Sequence, residues 1–333
     1  MRKSNVIFMP DFASPIAEQL KGFLEEKRAL GYKYTSESWR LLQIDRLGKE
    51  LNIAPNTLPK DLIDAWCVRT LNESTKTWHT RITLTTQLAN YFIAHDLPCV
   101  KTMIHLDGTR NYSKFVPHIF TADEIKRLFL AADTLNAPSN SPYRRDVASL
   151  LFRVLYSCGL RLNEALSLTF ENLDLENGII TIKGGKGKVD RYTPMSRELT
   201  VRCQSYKNNV LDNVNDSSIF FAAPDGGKYA MTTVSYMWYQ ILKSAGIPKN
   251  DDGPRIHDLR HTFAVHCLKK WVDDGVNISA LLPVLSSYMG HVNLSSVNNY
   301  LRLTADVFPD ITKLVERHFG YIVPNGGCVY EEG

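Results

Sequence analysis

Asn177-Gly178-Ile179-Ile180-Thr181-Ile182-Lys183-Gly184-Gly185-Lys186-Gly187-Lys188-Val189-Asp190-Arg191-Tyr192-Thr193-Pro194 is the stretch where the hydrophobic period of this chain changes from 3.6 residues to about 2. Asn177-Gly178 is a hairpin signal, Ile179 to Ile182 reads as a strand, Gly184 to Lys188 as a Gly/Lys turn, and Arg191 to Pro194 as the returning strand. On both sides the chain reads as helix. The expected fold is therefore mainly α: a helical first part, then a mostly helical second part interrupted by one small antiparallel sheet.

Downstream of the hairpin, helices are expected around Glu198, over Val234 to Ala245, Leu259 to Trp271, Ile278 to Tyr288 and Ser295 to Leu301. Upstream, Thr121 and Glu124 form a capping box ahead of Ile125, Leu128 and Phe129, Asp146 to Tyr156 reads as a buried helix ending before Gly159, and a helix restarts near Asn163. In the first third, Ser14 and Pro15 read as N-cap and N1 of a helix carrying Ile16, Leu20, Phe23 and Leu24, with Gly31 as its stop. A second helix carries Leu41, Ile44, Leu47 and Leu51; a third opens at Thr57 or Pro59 and includes Leu62 and Trp66. A fourth spans roughly Thr77 to His95 with Trp78, Ile82, Ala89 and Phe92 on one stripe. The polar, aperiodic Asp107 to Lys114 is the expected interdomain linker, dividing the chain into 1–112 and 113–333.

The 333 residues are 44% hydrophobic and 22% charged, which excludes disordered, collagenous and membrane-embedded classes. No apolar run approaches the roughly 18 residues of a membrane span, and Pro10 and Asp11 end the apolar run of the first residues too early for a signal peptide, so no membrane partner is expected. Six widely spaced cysteines (Cys67, Cys99, Cys158, Cys203, Cys267, Cys328) form no C-x-x-C pair and read as reduced thiols of a cytoplasmic protein. The net charge of +4 is uneven: residues 1–116 carry 16 basic and 12 acidic side chains, residues 117–333 carry 23 of each. That asymmetry is compatible with a polyanion partner and equally with a solvated surface.

Taken singly, the chemistry-bearing residues have plain readings. Arg161 at a helix–turn–helix junction is a surface or capping arginine, Lys186 and Lys188 solubilise a flexible turn, and Tyr300 packs in a core. His257 and His261 lack the glutamate of H-E-x-x-H and are not read as a zinc site. Jointly they occur in one order: Arg161, Lys186, His257-x-x-Arg260, Gly290-His291, and Tyr300 nine residues after that histidine.

This constellation resembles the tyrosine recombinase (lambda integrase, phage integrase) family. Gly159-Leu160-Arg161-Leu162-Asn163-Glu164 is similar to its first arginine box, Gly185 to Pro194 to its lysine hairpin, His257 to His261 to its second arginine box, and Tyr288-Met289-Gly290-His291 through Tyr300 to its nucleophile segment. The first third resembles the family's SAM-like core-binding domain in pattern only. Tyr288-Met289 in place of the usual Leu-Leu, Val297 in place of Thr and Arg302 in place of His depart from the pattern without removing a catalytic atom.

The resemblance implies a site-specific DNA recombinase or integrase of a mobile element, in which tyrosine attacks a phosphodiester to leave a 3′-phosphotyrosyl intermediate and a free 5′-OH before strand exchange and religation. Chemistry agrees with it: two guanidiniums hold the non-bridging oxygens, a tyrosyl oxygen attacks phosphorus once deprotonated, and a lysine protonates the leaving oxygen. Arg161 and Arg260 fit the clamp, Tyr300 the nucleophile, His257 the proton acceptor and His291 a further donor to the phosphate, while Glu164 supports Arg161 without touching substrate. Lys186 is the general acid by alignment of the hairpin, with Lys188 its close competitor; Lys188, Arg110 and Lys114 are expected to contact DNA. No metal and no cofactor are implied. The expected partner is double-stranded DNA with inverted-repeat core sites, bound by a homotetramer in the synaptic complex and by a protein that is monomeric when free. Ile311, Leu314, Val315 and Phe319 after Pro309 would form the helix that docks on a neighbouring subunit. Two alternatives stand beside this reading: a type IB topoisomerase-like enzyme, and a catalytically idle DNA-binding relative.

Overall fold

The computed structural model describes residues 9–100, 116–184, 190–210, 215–250 and 253–290, with Tyr300, Leu301, Leu303 and Thr304. The chain divides into two compact units, Met1–Phe115 and Val116–Gly333.

The first unit holds α1 (Ala17–Ala29), α2 (Thr35–Glu50), α3 (Lys60–Cys67) and α4 (Thr75–Ala94). Their apolar faces meet in a core of Leu20, Phe23 and Leu24 from α1, Leu41 and Ile44 from α2, Leu62 and Trp66 from α3, and Leu84, Leu88 and Phe92 from α4. Helix α1 starts later than Ser14-Pro15 suggests. The buried Asp45 carboxylate accepts from the N–H groups of Ala13 and Ser14 at 2.9 Å each, which ties the entry turn to α2 and leaves regular helix to begin at Ala17. On α4 the expected helix is present and Ile82 and Phe92 of the expected stripe are buried, but Trp78 and Ala89 are only partly so, and Leu84 and Leu88 join the buried face. Arg81 is buried on α4 as well. It turns inward to pair with Glu73 (Nη2–Oε2 2.6 Å) and donates to the carbonyls of Trp66 and Val68, so the buried polar side chain is paired at each of its three nitrogens.

The second unit begins with α5 (Ala122–Asp133), opened by the Thr121/Glu124 capping box. Helix α6 (Arg144–Ser157) runs through the middle of the unit, burying Val147, Ala148, Leu151, Phe152, Val154 and Leu155. After the short α7 (Leu162–Ala165) come β1 (Leu173–Asp174), β2 (Ile179–Ile182) and β3 (Arg191–Pro194), an antiparallel sheet in the order β1-β2-β3 with Ile180 opposite Leu173 and Ile182 opposite Arg191. The remaining helices are α8 (Arg197–Val210), α9 (Met231–Ser244), α10 (Asp258–Asp273) and α11 (Ile278–Met289). A large core joins α5, α6, α8, α9 and the sheet; a smaller one joins Ala264 and Leu268 of α10, Leu285 and Met289 of α11, and Tyr300. No described helix is long and apolar enough to cross a membrane.

Candidate active site

The site forms where three arginines from distant parts of the chain reach the end of α11. The first is placed by the turn after α6. Gly159 has φ +57, and a Cβ there would stand 2.6 Å from Phe263 Cδ1, so the tight turn requires glycine. Two residues on, Arg161 takes extended backbone as the cap of α7, and Glu164, three residues later, reaches back to the Arg161 N–H (2.9 Å). That local geometry sets the Arg161 guanidinium beside the carboxylate, Nη1 to Oε1 at 2.7 Å. The second arginine, Arg260, lies one turn into α10, on the face it shares with His257. It is 1% exposed and donates from Nη1 to the Gly159 carbonyl. The third is Arg191, at an inward position of β3.

All three spend hydrogen bonds on consecutive carbonyls. Arg191 Nε donates to Tyr288 O at 3.0 Å, Arg260 Nη2 to Met289 O, and Arg161 Nη2 to Gly290 O at 3.0 Å. The last carbonyls of a helix have no partners within it and carry the negative end of its dipole, so the end of α11 is a natural hub for cations. Gly290, at φ +63, terminates α11 with its Cα pressed against Arg191, leaving no room for a Cβ.

One carboxylate balances this cluster. Arg191 grips Glu164 with two parallel bonds, Nη1–Oε1 3.1 Å and Nη2–Oε2 2.7 Å. Burial would push the Glu164 carboxyl up, but the bonds from Arg191 and from the Arg161 backbone and side chain outweigh it and hold the group at about 2. Burial lowers the Arg260 pKa to about 10, against the pull of Tyr300 and Glu164, and the guanidinium stays protonated at neutral pH.

Tyr300 is 3% exposed, packed on Ala264, Leu268, Leu285 and Met289. Burial raises its phenol pKa, while the charge of Arg260 and a hydrogen bond from it act in the opposite direction, with Arg161 adding to that opposition. The Tyr300 ring lies 5.5 Å from that of His261, which in turn meets the His257 ring edge-on at 4.9 Å. His257 reaches solvent, yet the protein mass around it and then the charges of Arg260 and Arg161 hold its imidazole below the ordinary value, with Glu164 opposing. It is therefore neutral at pH 7 and able to accept a proton.

Arg161, Glu164, His257, Arg260 and Tyr300 thus come together in space. Lys186, Lys188, His291, Arg110 and Lys114 lie outside the described residues, as do the linker and the segment from Pro309 to Phe319. Two residues of the site were not singled out as site residues from the sequence. Arg191 served there only to mark the hairpin, although an arginine at an inward strand position calls for a buried partner. His261 reads from sequence only as a rejected metal ligand, yet its ring lies 4.9 Å from that of His257 and 5.5 Å from that of Tyr300. Among the described residues no group of three or more His, Cys, Asp or Glu is arranged to hold a metal, and Cys67, Cys99, Cys158, Cys203 and Cys267 are free thiols.

Residues 118–306 match the phage integrase family. The chain is 26% identical over 316 residues to a putative integrase/recombinase, y4rB, of Sinorhizobium fredii, covering 92% of this chain and 98% of the relative. It is 30% identical over 212 residues to the tyrosine recombinase XerA of Thermococcus kodakarensis, covering 62% of this chain and 66% of that protein. Among solved structures it is similar to the XerH site-specific recombinase in a post-cleavage complex with a palindromic difH substrate, with a TM-score of 0.61 and 19% identity over 90% of this chain and 88% of that one; this likeness speaks for the fold. With a match that spans more than half of its residues, the chain belongs to the phage integrase family, the tyrosine-type site-specific recombinases.

Proposed function

We propose that this recombinase breaks double-stranded DNA by attack of the Tyr300 hydroxyl on a phosphodiester held by Arg161 and Arg260. The observation that carries the reading is the convergence of these two guanidiniums at the end of α11 with the Tyr300 phenol against Arg260. Two guanidinium forks complement the two non-bridging oxygens of a phosphate as charge builds in transfer. The phenol resists ionisation in its buried setting, so it needs a base; His257, held neutral, accepts the proton. The tyrosyl oxygen forms a bond to phosphorus, the 5′-oxygen leaves and takes a proton, and a 3′-phosphotyrosyl ester remains. Lys186, between β2 and β3, is assigned to deliver that proton, His291 to donate to the phosphate, and Lys188 to touch the DNA backbone. Attack of a partner strand's 5′-OH on the ester reverses the chemistry and completes exchange.

In the same reading residues 1–112 form the core-binding domain and 113–333 the catalytic domain, each contacts the duplex, and Arg110 and Lys114 lie on backbone phosphates. The substrate is a pair of inverted-repeat core sites synapsed by four subunits, linked through the carboxy-terminal helix; free protein is monomeric. Cleavage of a nicked suicide substrate tests the chemistry. Wild-type protein accumulates a covalent adduct, and Tyr300→Phe binds the same DNA without forming one. An adduct of normal yield with Tyr300→Phe overturns the proposal.

A further inference from the structure

The Glu164 carboxylate lies within hydrogen-bond reach of the very guanidinium that the proposed chemistry requires for phosphate. A buried carboxylate 2.7 Å from Arg161 competes with the substrate for that cation. What prevents the competition is a second cation on the far side of the carboxylate. Arg191 takes both Glu164 oxygens in parallel through Nη1 and Nη2, which commits its guanidinium to the carboxylate rather than to the substrate. Its Nε is anchored on Tyr288 O, and its guanidinium is backed by Gly290, whose carbonyl orients Arg161.

We propose that Arg191 is a positioning residue which, by neutralising Glu164 and bracing the Tyr288–Gly290 turn, keeps the charge of Arg161 available for the scissile phosphate. With Arg191 present, Arg161, Arg191 and Glu164 together carry one net positive charge; without it, Glu164 and Arg161 cancel. Glu164 then switches from a support of Arg161 into its inhibitor. The inference rests on the reading of Arg161 as a phosphate clamp and adds a residue that never meets DNA.

The test uses the full-length protein on two suicide substrates, one with an ordinary scissile phosphate and one with a methylphosphonate there. The methylphosphonate lacks the charged oxygen, so it has little need of Arg161. Arg191→Met should slow adduct formation on the phosphodiester by a factor on the order of 100, the low end of the loss on removing one charge-stabilising donor. On the methylphosphonate it should react within about threefold of wild type on the same DNA, a tenfold gap being the measure of about 1.4 kcal/mol. A variant that is merely less well folded slows on both substrates equally, and that outcome overturns the proposal. Arg191→Lys keeps the charge but not the double grip; it should show a smaller defect with the same substrate selectivity, and it decides the matter if Arg191→Met is recovered in too small an amount. Arg161→Ala run alongside separates the two layers. If it is rescued by the methylphosphonate and the Arg191 variants are not, the role of Arg191 is wrong; if Arg161→Ala is itself not rescued, the clamp reading fails first.

Discussion

Replacing Gly290 by alanine adds a methyl group where the structure has no space for one. Its Cβ would stand 2.9 Å from Arg191 Nη1, 3.1 Å from Cζ and 3.2 Å from Cδ, on a backbone with φ +63. The left-handed conformation alone costs an L residue about 1 to 2 kcal/mol. Arg191 cannot yield freely, because Glu164 holds Nη2 at 2.7 Å and Tyr288 O holds Nε at 3.0 Å. Losing one such charge-assisted bond costs about 1.5 to 3 kcal/mol more, so the total is about 2.5 to 5 kcal/mol. Gly275→Ala is the control: φ there is +68 and nothing lies within 4 Å of the added Cβ, so only the backbone cost of about 1 to 2 kcal/mol applies. Urea unfolding of the two full-length variants should therefore differ by about 1.5 to 3 kcal/mol, with Gly290→Ala the weaker. Its cleavage rate should fall as well, since Gly290 O orients Arg161. Equal destabilisation by the two alanines would show that Arg191 is not wedged against the turn.

Acid stability should report on Glu164. Its carboxyl is held at about 2, below the ordinary value near 4.5, so its contribution is full above about pH 4.5 and is lost as pH falls toward 2, by about 3 kcal/mol. The stability gap between wild type and Glu164→Gln should accordingly shrink between pH 6 and pH 3 in urea titrations, and a constant gap would contradict the coupling. The rate of single-turnover cleavage should keep its plateau below the ordinary imidazole pKa of 6.5, because His257 is shifted down; His257→Asn should abolish that acid limb, and a limb unchanged in the variant would remove the residue from the proton path. Lys186→Ala should be rescued by a substrate whose leaving 5′-oxygen is replaced by sulfur, which departs without a proton, while Lys188→Ala shows only a modest loss of DNA affinity. The reverse pattern would assign the acid role to Lys188.

Most of the architecture is legible in the sequence because it rests on local signals. Helices α5, α6 and α8 to α11 follow from apolar spacing and caps, and β2 and β3 from Asn177-Gly178 and the alternation around it. β1, two residues long, is too short to show a period, and the burial of Arg81 on α4 depends on its finding Glu73 and two carbonyls, a tertiary fact. The site divides along the same line. Residue identities and their order suggest Arg161, Glu164, His257, Arg260 and Tyr300 as a group. The hub at the end of α11 is built from the carbonyls of Tyr288, Met289 and Gly290, and carbonyls carry no residue identity. The role of Arg191 has no local sequence signal for that reason: two of its partners are a carbonyl and a glycine, and the third, Glu164, is 27 residues away.

The most direct test of the account is the identity of the residue that carries DNA after cleavage. Trapping the adduct on a nicked substrate, digesting the protein and mapping the nucleotide-bearing peptide by mass spectrometry should find a 3′-phosphate ester on Tyr300 alone. Attachment to another tyrosine such as Tyr288, attachment through a 5′-phosphate, or strand cleavage with no covalent adduct would contradict it.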